Sequence, residues 1–203
     1  MRPPLPRLHA VTDAALARRP DLDEVARALA DGGADELAFH ARGRALSGRE
    51  HLDLAGRLSA CAPARLFVND RLDVALAAGA VGVQLGRGSL RPADARRCDP
   101  EWWIGVSVHD LDEAEAARDA GADYLLAGPV YATASHPDRA PIGRTRLEEI
   151  VALGVRVVAI GGITVERVRE LQAAGVWGVA AIRALWDAPD PEAAARALVR
   201  QLE

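Results

Sequence analysis

One short phrase recurs four times along the chain and constrains its fold more than any other feature. Each copy places a glycine after an Ala/Leu-rich helical pattern and before an apolar run, at Gly33, Gly79, Gly121 and Gly175. Glycine relieves the left-handed backbone that commonly ends a helix, and a short apolar run is typical of a buried strand. The copies lie about two helix–strand units apart, so each unit takes roughly 25 residues. The phrase therefore marks a repeated junction from helix to strand.

The segments between these junctions predict eight strands that alternate with eight helices. The predicted strands are Leu8–Asp13, Glu36–His40, Arg65–Asp70, Gly82–Gly86, Trp103–His109, Tyr124–Val130, Val155–Ile163 and Gly178–Leu185. The predicted helices are Asp21–Asp31, Ser47–Ala62, Leu72–Ala78, Pro92–Arg97, Leu111–Ala120, Arg146–Leu153, Val165–Ala174 and Pro191–Leu202. Ser47 with Glu50 indicates a capping box, and Thr164 and Asp190 are predicted N-caps. Because helical crossovers join parallel strands, the alternation predicts a parallel sheet.

Two architectures accommodate this alternation: a closed (β/α)8 barrel and an open, doubly wound sheet. The first strand-to-helix turn, around Thr12 and Asp13, lacks the Gly-x-Gly-x-x-Gly pattern of a dinucleotide-binding fold. A count of eight strands favours closure, although 203 residues are fewer than a typical barrel has. We therefore predict the α/β class and a single TIM-barrel domain over residues 1–203.

Composition limits the partners and the chemistry of the chain. It has 25 positive and 29 negative residues, a formal charge of −4, whereas nucleic-acid and anionic-membrane surfaces need a basic excess. Every positive residue is arginine, so Schiff-base chemistry, a lysine general base and a P-loop are excluded. The two cysteines lack metal-ligand spacing, and no apolar run has the length of a signal peptide or a bilayer span. We expect a cytoplasmic protein that binds neither nucleic acid nor membrane.

Two adjacent loops predict a phosphate site. In a (β/α)8 barrel the active site forms at the carboxyl ends of the strands, and the loops after strands seven and eight are the habitual phosphate site. Gly161 and Gly162 lie at the end of the seventh predicted strand, and Ile182 and Arg183 lie at the end of the eighth. Glycines let backbone N–H groups approach a ligand, and a helix N-terminus favours an anion. We predict phosphate binding here; the alternative is a plain tight turn with a surface arginine.

Polar residues at other strand ends are further candidates. Asp70, with Asn69 beside it, is the candidate cation contact, although its position also suits an N-cap of the helix at 71–80. His40 and Arg42 lie two residues apart, so both can point one way and hold an anion; a salt bridge at the rim is the alternative.

A long connection follows the sixth predicted strand. Residues 131–142 are punctuated by glycine and proline, and long loops of this kind are often lids over an active site. The loop contains His136, and histidine is the side chain best suited to exchanging protons near neutrality. A solvated loop histidine is the alternative.

Four stretches of the sequence resemble the thiamine phosphate synthase/TenI family of barrels: Val68–Leu76, Ile104–His109, Ala122–Tyr131 and Val158–Ile163. In that family, synthases join a hydroxymethylpyrimidine pyrophosphate to a thiazole phosphate with Mg²⁺ and release pyrophosphate. TenI-type members instead isomerise a carboxythiazole phosphate by proton transfer. The resemblance implies that Gly161, Gly162, Ile182 and Arg183 hold the thiazole phosphate, and we expect Ser107, Thr133, His40 and Arg42 to contact substrate.

The chain departs from both patterns within the family. The Gln-x-Arg-x-Lys pattern of the synthases falls on Ala38, His40 and Arg42. One of their two metal-binding aspartates matches Asp70, and the other falls on Ser89. Their loop lysine falls on His136, whereas the catalytic histidine of TenI falls on Pro129. Losing a carboxylate weakens a Mg²⁺ site, because a hard cation prefers anionic oxygen ligands.

These departures make a TenI-like thiazole tautomerase, working without a cofactor, the main expectation. His136 is its predicted acid/base, and Asp70 and Asn69 are predicted orienting groups. The first alternative is a thiamine-phosphate synthase with Mg²⁺ at Asp70. The others are a non-catalytic thiazole phosphate binder and another phosphate-handling barrel isomerase. Either type of enzyme is compatible with a homo-oligomer.

Overall fold

The computed structural model describes residues 2–62, 65–133 and 140–203, and within them eight parallel strands close into a barrel. The strands are β1 Leu8–Val11, β2 Leu37–Ala41, β3 Leu66–Asn69, β4 Gly82–Leu85, β5 Trp103–Val108, β6 Tyr124–Ala127, β7 Arg156–Ile160 and β8 Gly178–Ala181. Their order around the barrel is their order in the chain, and β8 pairs with β1 to close it. The predicted (β/α)8 TIM barrel is confirmed.

Helices connect the strands and cover the outside of the barrel. They are α1 Ala14–Ala17, α2 Leu22–Gly33, α3 Gly48–Cys61, α4 Leu72–Ala77, α5 Pro92–Cys98, α6 Leu111–Asp119, α7 Gly143–Val151, α8 Val165–Ala173, α9 Arg183–Trp186 and α10 Pro191–Leu202, with a 3-10 turn at Ala34–Glu36. The eight predicted helices all occur. The short helices α1 and α9 were not predicted, because they lie within or directly beside predicted strands. Their apolar residues suit either structure over so few positions.

Helix capping follows the sequence prediction at all three positions, with a side-chain capping hydrogen bond at two of them. The Ser47 side chain accepts from the Glu50 N–H while the Glu50 carboxylate accepts from the Ser47 N–H, which is the predicted capping box of α3. The Asp190 side chain accepts from the Ala193 N–H at the start of α10. Thr164 occupies the N-cap position of α8, but its side chain makes no capping hydrogen bond.

The strand period of two divides the apolar residues between two cores. One face of each strand packs against the helices, and the other face fills the barrel interior. The interior cluster consists of Leu5, Val11, Ala38, Phe67, Trp103, Tyr124, Leu126, Val158 and Ala180. It leaves the polar residues at the carboxyl ends of the strands to line the cavity described below.

The N-terminal segment covers the opposite, amino end of the barrel. The Trp103 Nε1–H donates to the Pro3 carbonyl at 2.9 Å, and the Arg2 guanidinium carbon lies 3.6 Å from the centre of the Trp103 ring. Leu5 is 3% exposed and packs in the interior cluster. In the described part of the chain, no helix is both long and apolar enough to span a bilayer.

Candidate active site

A cavity of about 290 Å³ opens at the carboxyl ends of the strands, close to the lower limit of the range of small-molecule sites. Each of the eight strands, or the loop that follows it, contributes to the lining. The predicted site residues that line it are Arg42, Asn69, Asp70, Ser107, Thr133, Gly161, Gly162, Ile182 and Arg183. His40 does not line the cavity, and His136 lies outside the described residues. The structure therefore brings nine of the eleven predicted residues to one place.

The charge of this lining favours an anionic ligand. Among the described residues it carries five arginines, at positions 42, 44, 87, 167 and 183, and a single carboxylate, Asp70. A concave surface of one sign concentrates ligands of the opposite charge, and arginine suits phosphate because its planar donors bind two oxygens at once.

Arg42 is the cation with the most to gain from such a ligand. The Thr12 hydroxyl fixes its backbone by accepting from the Arg42 N–H at 2.9 Å. The single hydrogen of that hydroxyl points to the carbonyl oxygens of His40, at 2.9 Å, and Arg42, at 3.0 Å. Burial, with the neighbouring Arg44 guanidinium, lowers the pKa of Arg42 below its ordinary value. The Asp70 and Asp13 carboxylates act in the opposite direction, but neither forms a salt bridge with the Arg42 guanidinium in the described part of the chain. A partly desolvated cation without a direct ion pair is stabilised when an anion binds beside it.

The loop after β7 can hold an anion through its backbone. Gly161 and Gly162 have φ of +98° and +65°, and a Cβ on Gly161 would lie 2.6 Å from the Pro129 Cβ. Within the described residues, the backbone N–H groups of Gly162 and Ile163 donate to no protein acceptor. The N-terminus of α8 follows at once, so both free N–H groups and the helix dipole favour an anion here.

Two arginines border this loop, and both already have partners. Arg183 pairs with Asp13 at 2.7 Å and with Asp187 at 3.2 Å, and its side chain is 47% exposed. Arg167 donates to the Gly162 carbonyl, and its guanidinium carbon lies 4.3 Å from the centre of the Tyr131 ring. Arg183 can thus turn towards a phosphate only by sharing its donors with two carboxylates. Its phosphate role stays a prediction.

Asp70 does not act as a helix cap. The N-cap of α4 is Arg71, without a side-chain capping bond, and the helix is shorter than the 71–80 segment considered from the sequence. Asp70 instead has a φ of +63°, and its Oδ1 accepts from the Gly86 N–H at 2.9 Å and from the Ser89 hydroxyl. The carboxylate is therefore held against the loop after β4, at the edge of the cavity.

Two buried polar groups lie beneath the cavity floor. The Gln84 Nε2 donates to the Ser107 Oγ at 3.0 Å, which fixes a hydroxyl that faces the cavity. His40 is fully buried, with its Nδ1 3.2 Å from the Asn69 side-chain oxygen and its Nε2 2.8 Å from the His9 Nδ1. The predicted direct contact of His40 with substrate stays a prediction, but His40 touches a residue that lines the cavity.

Comparison with known proteins identifies the family. A model of the thiamine monophosphate synthase family matches residues 8–185. The chain belongs to the thiamine monophosphate synthase family (TMP-TENI). It is 45% identical over 198 residues to a thiamine-phosphate synthase of Methanoregula boonei, covering 94% of this chain and 90% of that one. It is 40% identical over 201 residues to a thiamine-phosphate synthase of Pyrococcus abyssi, covering 97% and 95%.

A solved structure extends this similarity to three dimensions. The thiamine phosphate pyrophosphorylase from Pyrococcus furiosus matches with a TM-score of 0.83 and 34% identity, covering 97% of this chain and 95% of that one. The predicted membership of the thiamine phosphate synthase/TenI family is confirmed. The names of these relatives favour the synthase alternative over the tautomerase that the sequence analysis preferred.

The donor set around Asp70 decides whether this family member can hold Mg²⁺. No group of three or more His, Cys, Asp or Glu side chains in the described residues can form a metal centre. The Asp70 carboxylate and the Ser89 hydroxyl are oxygen donors, and the hydroxyl already donates to Asp70. Mg²⁺ is commonly bound by one or two carboxylates, several waters and the phosphates of a substrate. One carboxylate and one hydroxyl therefore fit a Mg²⁺ whose other ligands come from water and from a phosphorylated ligand.

Sequence reasoning missed several residues of this site. Arg87 lies two residues after β4, and its position just after a strand end could have identified it as a site residue. Arg167 lies on a helix, away from every strand end, so no pattern in the sequence points to it. The contact of His9 with His40 depends on how far β1 is shifted against β2, and the register pairs Val11 with His40. Pairing register between distant strands is not encoded in the local pattern of either strand.

Proposed function

We propose that this chain is a thiamine-phosphate synthase, which joins a hydroxymethylpyrimidine pyrophosphate to a thiazole phosphate and releases pyrophosphate. The observation that carries the proposal is its similarity to thiamine-phosphate synthases over almost the full length of both chains, at 45% identity to one of them. The position of the TenI catalytic histidine agrees with it, since Pro129 lines the cavity there and a proline side chain cannot exchange a proton.

The arrangement of charge supports a reaction between two anions. Arg42 and Arg44 follow β2 and Arg87 follows β4, whereas Gly161 and Gly162 follow β7. In a barrel of eight strands, β2–β4 lie across the opening from β6–β8. We assign the arginine side to the pyrophosphate and the glycine side to the thiazole phosphate, so that the two heterocycles meet between them. Holding two reactants in this way removes much of the entropic barrier to their reaction.

The chain's own contribution to the chemistry is electrostatic. Negative charge develops on the pyrophosphate as it leaves, and arginines fixed before the reaction stabilise that charge. Arg42 is positioned for this by Thr12, and the hydroxyl of Ser107 is positioned by Gln84. Asp70 is the residue that would hold Mg²⁺, and the ion would neutralise part of the negative charge of the leaving group.

The test is to incubate the purified chain with both precursors and to follow thiamine phosphate and pyrophosphate by chromatography. We expect equal amounts of the two products, dependent on both substrates and on Mg²⁺. A parallel incubation with the non-aromatic carboxythiazole phosphate follows its absorbance. Accelerated isomerisation without any joining reaction would support a tautomerase and contradict the synthase. Tight binding without turnover in either assay would favour a non-catalytic binder.

A further inference from the structure

Three side chains form one hydrogen-bonded chain from the barrel interior to the cavity. The His9 Nε2 lies 2.9 Å from the Pro6 carbonyl oxygen, and the His9 Nδ1 lies 2.8 Å from the His40 Nε2. The His40 Nδ1 lies 3.2 Å from the Asn69 side-chain oxygen. Both histidines are 0% exposed, and Asn69 is 6% exposed and lines the cavity. A buried pair thus contacts a cavity residue from below.

Counting hydrogens shows that the three contacts cannot all be hydrogen bonds while both rings are neutral and the Asn69 oxygen faces His40. This hydrogen-bonded chain has three contacts and therefore needs three hydrogens. The Pro6 carbonyl at one end and the Asn69 oxygen at the other can only accept, so all three hydrogens would have to come from the two rings. Two neutral imidazoles carry one N–H each. One contact is then left with two facing lone pairs, or the pair must hold an additional proton.

A half-turn of the Asn69 amide removes the shortfall. The oxygen and nitrogen of an amide exchange places with little change in shape, so the hydrogen-bond network has to assign them. With the Asn69 Nδ2 donating to the His40 Nδ1, the His40 Nε2–H donates to His9 and the His9 Nε2–H donates to Pro6. All three contacts are then made while both imidazoles stay neutral.

The surroundings favour the neutral pair over an additional proton. The His40 ring stacks on Phe67 with 5.0 Å between ring centres, and the His9 ring lies 5.7 Å from that of Tyr124. No carboxylate of the described residues is hydrogen-bonded to either ring, and Arg42 is a nearby cation. Burial lowers the pKa of His9 to about 4 and the pKa of His40 well below its ordinary value.

We infer that the buried His9–His40 pair is a positioning element that holds Asn69 with its side-chain oxygen towards the cavity. Asn69 then accepts a hydrogen bond from an N–H group of the bound heterocycle. That oxygen cannot hydrogen-bond to an ionised phosphate, because both groups are acceptors only. The site is thereby divided: anionic groups of the ligand lie against the arginines, and the N–H group of its heterocycle lies against Asn69. The substrate part of this inference rests on the proposed function; the orientation of the amide does not.

Nuclear magnetic resonance of ¹⁵N-histidine-labelled protein tests the orientation directly, because long-range proton–nitrogen correlations distinguish the two tautomers of each ring. We expect the Nε2–H tautomer for both His9 and His40 at neutral pH. The His51 Nε2, 2.8 Å from the Ala41 carbonyl, and the His109 Nδ1, 2.8 Å from a Glu113 carboxylate oxygen, serve as internal references. Single His→Gln variants at positions 51, 109 and 136 each remove one signal and so assign the signals of the three other histidines.

An Nδ1–H tautomer of His40, or a ring of the pair with both nitrogens protonated, would overturn the inference. In Asn69→Asp the carboxylate cannot donate, so we expect one additional proton on the pair and a doubly protonated His40. These measurements need no activity. A chain that fails to make thiamine phosphate but shows the expected tautomers therefore removes the proposed function and leaves the positioning role intact.

A mutant cycle tests whether the pair acts through Asn69 in binding. His40→Phe keeps a ring against Phe67 and removes the partner of the amide, and Asn69→Ala removes the amide itself. We expect each single variant to raise KM for the pyrimidine substrate about tenfold, with a smaller change in kcat, as for one lost hydrogen bond. The double variant should match Asn69→Ala. A purely structural His40 would instead add its own effect to that of Asn69→Ala, and this result would contradict the positioning role.

Discussion

At the scale of single residues, Arg42 offers the sharpest test of how the cavity binds its ligand. A charge-assisted hydrogen bond contributes about 1.5–3 kcal/mol, so we expect Arg42→Gln to raise KM for the pyrimidine pyrophosphate roughly 10- to 100-fold. The melting temperature should hardly change, because neither nearby carboxylate, Asp70 or Asp13, loses a salt bridge when Arg42 is replaced. Steady-state kinetics measure this, with Arg144→Gln, whose guanidinium pairs with Glu148 on α7, as the matched control. Equal KM values in the two variants would count against an anion at Arg42.

Ser89 offers a test of the cation site in which a substitution is expected to raise the affinity for Mg²⁺. Its hydroxyl donates to Asp70, at the position where the resemblance places a second metal-binding aspartate. Ser89→Asp sets two carboxylates beside each other, whose repulsion a divalent cation relieves. We expect half-maximal activity at several-fold lower Mg²⁺ in Ser89→Asp and at higher Mg²⁺ in Asp70→Asn. Magnesium titrations of the rate measure both, and an unchanged requirement in Asp70→Asn would exclude Asp70 as the ligand.

At the scale of elements, the role of the β7–α8 loop in ligand binding can be separated from the backbone strain that any substitution at its glycines causes. Alanine in the left-handed region costs about 1–2 kcal/mol wherever it occurs. Gly161→Ala adds a Cβ 2.6 Å from Pro129, whereas Gly154, with a φ of +78° in the turn before β7, has open space around it. We expect both variants to have a lower melting temperature, but only Gly161→Ala to raise KM for the thiazole phosphate. Thermal unfolding and kinetics together decide this, since a KM increase in Gly154→Ala would point to strain alone.

The capping box of α3 makes a prediction about pH. Hydrogen bonds from the Ser47 backbone and hydroxyl, with Arg18 nearby, lower the pKa of Glu50 from an ordinary 4.5 to about 2. Because the folded pKa is the lower one, this cap stabilises the fold fully above about pH 4.5. Its contribution fades as the pH falls towards 2. We expect Ser47→Ala to return the Glu50 titration, followed by magnetic resonance, towards 4.5, and Ser59→Ala on the same helix to leave it unchanged.

At the scale of the whole molecule, closure of the amino end of the barrel depends on the segment before β1. Leu5 is 3% exposed in the interior cluster, whereas Leu90 is 56% exposed. Removing a buried leucine side chain costs about 2–5 kcal/mol, so Leu5→Ala should lower the melting temperature by roughly 5–15 °C. Leu90→Ala should stay close to the parent protein. Calorimetry measures both, and equal melting temperatures would show that the segment does not pack as described.

The sequence predicted all eight strands and the closed barrel, and most cavity-lining candidates lay at strand ends where they were expected. Element ends were less accurate, since the predicted strands Tyr124–Val130 and Val155–Ile163 end at Ala127 and Ile160. Their last residues leave the sheet to form the rim of the cavity. The preference for a tautomerase was weaker still, because it depended on which residues are missing from two catalytic patterns. Comparison with full-length relatives favours the synthase.

What the sequence by itself determined is the alternation of strand and helix, the parallel barrel and the end at which polar residues collect. These follow from local periodicity, glycine junctions and helix caps, each of which acts over only a few residues. Only the tertiary structure decided that His9, His40 and Asn69 join across three strands and that Ser89 donates to Asp70. It also decided that Arg42 lies beside Arg44 without a salt bridge to a described carboxylate. Those contacts depend on the shift between strands when the sheet closes, which brings together residues that are distant along the chain.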